Sequence, residues 1–221
     1  MEARTHELQV ANDRLNKLVI EREMLLSEVN HRAKNSLAVA AALLAIQGRR
    51  QPDRAVRALF QEAQDRLNAM ARVHDLLSRS ESGQNVDLAD YVKDLCEALR
   101  PITEDDERIR FVVQAEGSIL VEANTAFALG IVLTELITNA VKYAFPAVRS
   151  GTILVQARRG SGDVIEVVIR DDGIGMASFR EGSLGYGLVR SLVEQIDGTL
   201  AIKNDPGLAV TVSFPDPNAA T

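Results

Sequence analysis

Tryptophan is absent from this 221-residue chain, cysteine occurs once, at Cys96, and aromatic residues make up only 4% of it. A single cysteine excludes an internal disulfide and a cysteine-based metal site, and it suits a reducing compartment. No apolar run reaches the roughly 20 residues a membrane-spanning helix needs, and no signal peptide opens the chain, so it reads as soluble and cytoplasmic. Surplus positive charge is also missing. The net charge is −6, and nothing basic enough to bind nucleic acid is present.

Helix breakers are scarce in one half only. Residues 1–84 hold Gly48, Gly83 and Pro52, while 12 Gly and 5 Pro fall in 85–221. Charge divides at the same place, +2 before it and −8 after it. With 46% hydrophobic residues the chain has enough apolar material for real cores. The reading is α+β, a helical half followed by a glycine-punctuated half of strands and helices.

From about Thr5 to Gln47 nothing interrupts a helix. Leu8, Leu15, Leu18 and Leu25 form a heptad-like seam, continued by Val29, Ala33, Leu37, Ala40 and Leu44. So narrow a stripe needs a partner helix. Gly48 and Pro52 end the helix, Asp53 stands near the start of the next, and Val56, Phe60, Ala63, Leu67, Met70, Val73 and Leu77 repeat at helical spacing. An antiparallel hairpin follows. Its completion would be a second copy giving a four-helix bundle, hence a homodimer, with packing against the chain's own second half as the monomeric alternative. His31 points away from the stripe, among Glu28, Asn30, Arg32, Lys34 and Asn35, and helix geometry alone reads it as a solvated histidine.

After the polar break Ser80–Asn85, an amphipathic segment (Asp87–Leu99) precedes five β-rich runs: Ile109–Val113, Thr152–Ala157, Val164–Arg170, Thr199–Lys203 and Ala209–Phe214. Helical stretches at about Asn124–Phe145 and Leu188–Ile196 intervene, so this half reads as an α/β sandwich with helices on one face of one sheet. Arg159–Asp163 and Asp205–Gly207 suit hairpin turns. Glu135, Asn139 and Tyr143 share a helix face beside Lys142, an oxygen-bearing pattern that suits Mg²⁺ or plain solvent. Asp171-Asp172-Gly173-Ile174-Gly175 closes a strand with acids and alternating glycines, where a carboxylate can accept from an amino group or the chain can simply turn. Gly182, Ser183, Leu184, Gly185, Tyr186, Gly187 and Leu188 lead into the last helix, exposing backbone N–H groups suited to phosphates. No Walker loop or dinucleotide fingerprint is present.

Taken in order, these pieces resemble the sensor histidine kinases of two-component signalling, over about residues 22–214. Glu-Val-Asn-His-Arg-Ala-Lys-Asn-Ser-Leu at 28–37 is similar to the phosphoacceptor box of the HisKA_2 subgroup. Thr134–Tyr143 resembles the N box of Bergerat-fold (GHKL) ATPases, Asp171–Gly175 their first glycine box and Gly185–Gly187 their second. The resemblance implies a signalling or coiled-coil helix at 1–22, a dimerisation and phosphotransfer domain at 23–84 and a Bergerat-fold ATP-binding domain at 85–217.

It further implies ATP and Mg²⁺ as cofactors and a response-regulator receiver domain as partner. His31 would be the autophosphorylated residue, Asn139 the Mg²⁺ ligand and Glu135 the carboxylate positioning metal-bound water. Asp171 would accept from the adenine amino group, with Gly173 and Gly175 shaping the pocket. Lys142 and Tyr143 would stand near the phosphates or the adenine wall, and residues 176–187 would form a lid. The better-known kinases place an acid directly after the histidine and a proline a turn later, where this chain has Arg32 and Asn35. That leaves Glu28, one turn before His31, as candidate general base. Ser183 stands where the second glycine box usually has glycine. Reverse phosphatase action is a second expectation, and a phosphotransfer adaptor with a degenerate ATPase domain is the alternative.

Overall fold

The computed structural model describes residues 2–79, 85–100, 108–115, 117–146, 149–175, 184–204 and 206–219. The chain divides into two compact units, residues 1–78 and 79–221.

In the first unit, α1 (Glu2–Arg49) runs without a break and α2 (Arg54–Arg79) returns along it. The helix-to-helix turn is closed by Arg50 N–H on the Gln47 carbonyl and Gln51 N–H on the Gly48 carbonyl. Gly48 is needed for close approach, since a Cβ there would lie 2.8 Å from the Phe60 Cβ. Asp53 caps α2: its Oδ1 accepts from Ala55 N–H at 2.7 Å. At the far end Lys34 Nζ donates to Asp75 Oδ1 at 2.7 Å, one turn before α2 ends. The stripe on α1 accordingly splits. Ala33, Leu37, Ala40 and Leu44 are at least half-buried, whereas Leu15, Leu18, Leu25 and Val29 are all more than half exposed.

In the second unit the five expected strands form one mixed sheet. Its strands are β2 (Ile109–Ala115), β4 (Gly151–Arg159), β5 (Val164–Asp171), β6 (Thr199–Asn204) and β7 (Leu208–Pro215), in the order β2-β4-β5-β7-β6. Only β2 and β4 run parallel; the other neighbours are antiparallel. Beside the sheet lies a ribbon of β1 (Asn85–Asp87) and β3 (Leu120–Glu122) that sequence reasoning did not foresee. Three residues are too few to display a period of two.

The sheet buries one face. Ile153, Val155 and Ala157 on β4, Ile165, Val167 and Ile169 on β5, and Val210, Val212 and Phe214 on β7 are all buried, and the register sets Val155, Ile169 and Val210 side by side. Across this face runs α4 (Ala123–Tyr143), flanked by α3 (Leu88–Leu99) and α5 (Leu184–Gln195). Leu129, Leu133 and Ile137 of α4 are fully buried at helical spacing. By length and composition alone α4 could cross a membrane, but 61% of its apolar window is buried, as befits a core helix. The α5 helix starts at Leu184, four residues earlier than expected, so Gly185 and Gly187 lie in its first turn instead of ahead of it.

Candidate functional site

The alternation that builds the core of β5 places Ile165, Val167, Ile169 and Asp171 on the same face. The strand thus ends by putting a carboxylate where the next apolar side chain would go. Asp171 is only 4% exposed, and its Oδ1 accepts from Gly173 N–H at 2.9 Å and Leu208 N–H at 3.2 Å. Both bonds converge on one oxygen. Oδ2 has no hydrogen-bond donor among the described residues and remains available to the cleft that Asp171 lines.

That cleft is a concave opening between α4 and the strands β5 and β7, the kind of place where small molecules bind. Its floor is apolar, from Ile169 and Val210 of the sheet and Leu208 beside them; its wall is the α4 face carrying Leu136, Asn139, Ala140 and Tyr143; and Gly175 lies at its edge. Asn139 is half-buried with no hydrogen-bonding partner among the described residues. Tyr143 is 65% exposed at the mouth. Glu135, one turn before Asn139, is half-buried, and Lys142 is exposed; neither lines the cleft.

The loop after Asp171 is held against the end of α4. Ile174 N–H donates to the Ala144 carbonyl at 2.9 Å, and a Cβ on Gly173 would collide with that carbonyl, which is the packing reason for glycine there. Gly175 takes φ +68° and Gly207 φ +85°, conformations that disfavour other residues, and a Cβ on Gly207 would strike the Asp171 carbonyl. The second acid has a different task. Asp172 Oδ1 accepts from Thr152 N–H at 2.7 Å, and its carbonyl accepts from Arg149 Nη2 at 2.8 Å, so it ties the loop to β4.

The glycine-rich segment lies only partly among the described residues: of the lid expected over 176–187, residues 176–183, with Gly182 and Ser183, fall outside them. Within α5, Gly185 is buried, Tyr186 and Leu188 are half-buried, and Gly187 is exposed, with open space where a Cβ would go. First-turn N–H groups have no partner inside their own helix, so the anion-binding argument survives the earlier helix start.

In the first unit His31 is exposed on α1, and its Nδ1 lies 3.2 Å from Asn35 Nδ2. Glu28, the expected general base, is turned elsewhere. Its Oε1 accepts from Arg32 Nε–H at 2.7 Å, and it makes no hydrogen bond to His31. Sequence reasoning missed Asn35 as the ring's partner, although its place one turn after His31 carried the signal. It also missed Leu208, whose N–H signals nothing in a sequence.

Comparison with known proteins covers both units. Residues 28–103 match the HisKA_2 model, described as histidine kinase, and residues 124–218 match HATPase_c, described as histidine kinase-, DNA gyrase B-, and HSP90-like ATPase. The sensor histidine kinase PdtaS of Mycobacterium tuberculosis (strain ATCC 25618 / H37Rv) is 33% identical over 197 residues, which are 86% of this chain and 39% of that protein. Blue-light-activated histidine kinase 2 of Erythrobacter litoralis (strain HTCC2594) is 28% identical over 88% of this chain and 58% of its own length. The solved histidine kinase domain of the Erythrobacter litoralis EL346 blue-light activated histidine kinase superposes with a TM-score of 0.62 at 26% identity, covering 88% of this chain and 92% of that one. This chain therefore spans between about two fifths and three fifths of these curated relatives. With the HisKA_2 and HATPase_c models matched in this order along one chain, the chain belongs to the HisKA_2 histidine kinases.

Proposed function

We propose that this chain is an ATP-dependent histidine autokinase that phosphorylates His31 and then passes the phosphoryl group to an aspartate of a response-regulator receiver domain. The observation that carries the reading is the Asp171 carboxylate, buried at the end of an apolar strand face with one oxygen engaged and the other available to the cleft. Such an acceptor suits an exocyclic amino group above an apolar floor, which is how an adenine presents itself. ATP is bound base-first, with Asp171 Oδ2 accepting from the amino group and Ile169 and Val210 beneath the ring.

The half-buried Asn139 amide, unpartnered among the described residues, fits a ligand of Mg²⁺ carried in with the triphosphate, with Glu135 one turn away holding a metal-bound water. When bound, the ion neutralises charge on the phosphates. Lys142 and Tyr143 stand toward the phosphates or the mouth of the adenine pocket, and the first-turn N–H groups of α5 face the phosphate tail. Transfer of this kind depends mostly on positioning and charge, so few catalytic side chains are required.

In this reading residues 1–22 are a signalling helix, 23–84 the dimerisation and phosphotransfer domain, and 85–217 the catalytic domain, in a compartment that holds ATP and keeps Cys96 reduced. The exposed Leu15, Leu18, Leu25 and Val29 support self-association into a four-helix bundle. Dephosphorylation of the regulator is its reverse activity. Incubation with γ-labelled ATP and Mg²⁺ tests the core: acid-labile label is expected on the wild type and none on His31→Gln or Asn139→Ala. Label persisting on His31→Gln would sink the assignment.

A further inference from the structure

We propose that Asn35 is a positioning residue that selects the reactive tautomer of His31, in place of a general base. The inference rests on the autokinase reading and deepens it. A neutral imidazole has one nitrogen bearing a proton and one bearing a lone pair, and the hydrogen bond made by one nitrogen decides which is which. On α1, Glu28 stands one turn before His31 and Asn35 one turn after it. Glu28 is engaged with Arg32, and its carboxylate makes no hydrogen bond to the ring. Asn35, one turn on, places its amide 3.2 Å from Nδ1.

The Asn35 amide can present either end to that nitrogen, and the two orientations have opposite consequences. With Nδ2 facing the ring, Nδ1 is the acceptor and the proton sits on Nε2, which then has no lone pair to offer. Rotated by half a turn, Asn35 presents Oδ1, accepts from Nδ1–H, and leaves Nε2 with its lone pair in the ring plane and directed to solvent. Neither orientation breaks another hydrogen bond, since Asn35 has no other partner among the described residues. The second orientation is the reactive one.

The step then balances without a base at the attacking atom. The Nε2 lone pair forms a bond to the γ-phosphorus, the bond from that phosphorus to the bridging oxygen breaks, and ADP leaves with the electron pair. The product is an Nε2-phosphorylated imidazolium whose Nδ1–H still donates to Asn35 Oδ1; loss of that proton to water gives the neutral phosphohistidine. A glutamate or aspartate beside the ring would have done the same by accepting from Nδ1–H. Arg32, the residue after His31, is a cation and cannot accept, so the role falls to the residue one turn away.

Long-range proton–nitrogen NMR of the full chain labelled at histidine nitrogen reads the His31 tautomer directly, and γ-labelled ATP with antibodies selective for each phosphohistidine isomer reads rate and site. The wild type is expected to populate Nδ1–H and to label at Nε2. In Asn35→Leu, of similar size and unable to hydrogen-bond, the Nε2–H form should grow and labelling should slow roughly five- to tenfold, the worth of one ordinary hydrogen bond. Asn35→Asp, an acceptor only, should restore Nδ1–H and recover most of the rate. A merely structural Asn35 would leave the tautomer untouched. Unchanged tautomer and rate in Asn35→Leu, with His31 still the labelled residue in wild type, overturns this inference alone; absence of label on wild-type His31 overturns the autokinase reading beneath it.

Discussion

Asp171 shows how one residue serves two masters. Its Oδ1 secures the loop through Gly173 and Leu208, while Oδ2 is left for a ligand. Asp171→Asn separates the two tasks: the amide oxygen can still accept both N–H groups, but the cleft then meets a donor instead of an acceptor. Melting temperature should stay near wild type while affinity for ATP falls about tenfold or more, as a lost charge-assisted hydrogen bond implies; a thermal melt checks the first and titration calorimetry the second. Unaltered affinity would show that Asp171 does not contact the base. Gly207→Ala makes the contrasting case, because φ +85° and the collision with the Asp171 carbonyl strain the folded state itself. Stability should drop by about 1–3 kcal/mol in a denaturant titration. The choice of Asp171 over Asp172 came from the resemblance to the first glycine box, and the structure supplies its physical reason: alternation from Ile165 puts the first acid on the core face and the second off it. The Leu208 N–H was not legible, because a backbone donor brought from 37 residues away leaves no trace in side-chain chemistry.

At the scale of elements, the boundaries carry the information. The α3 helix begins where Asp87 accepts from Ala89 N–H and Asp90 N–H with Oδ1 and from Ser118 Oγ with Oδ2. Partial burial by itself raises the Asp87 carboxyl, but these hydrogen bonds together outweigh it and hold the group below the ordinary aspartate value. A depressed folded-state value means stabilisation that is present above the unfolded value, about 3.9, and lost as pH falls through the lower folded one. Asp87→Ala should therefore cost about 1 kcal/mol of unfolding free energy at pH 7, the usual worth of an N-cap. The gap to wild type should shrink only as the pH is taken below 4. Urea titrations across that range decide it, and a gap independent of pH would mean that packing, not the carboxylate, does the work. The long helices and five main strands were readable from periodicity and glycine spacing. The β1–β3 ribbon and the start of α5 were not: the ribbon pairs residues far apart in sequence, and a glycine pair that looks like loop is tolerated in a first helical turn, where backbone N–H groups lack partners anyway.

For the molecule as a whole, the question is whether the 79–221 unit opens as one body, and Cys96 supplies a probe already built in. It lies on α3, 1% exposed, and burial pushes its thiol up to about 12, so at neutral pH it is both enclosed and almost free of the reactive thiolate. A thiol reagent should reach it only when the unit opens, and when reclosing is fast the labelling rate reports the opening equilibrium. The cleft is shared among α4, β5 and β7, whereas Cys96 sits on a different helix packed against α4 and β2. Nucleotide at about a hundred times its dissociation constant stabilises the closed unit by about 2.7 kcal/mol, which should slow labelling of Cys96 roughly a hundredfold if both regions open together. In Asp171→Asn the same ATP concentration should give much less protection, because the linkage runs through the cleft. Labelling that ATP leaves unchanged in the wild type would mean that α3 detaches on its own, and that the ribbon and the Asp87 cap hold it more weakly than the nucleotide holds the sheet.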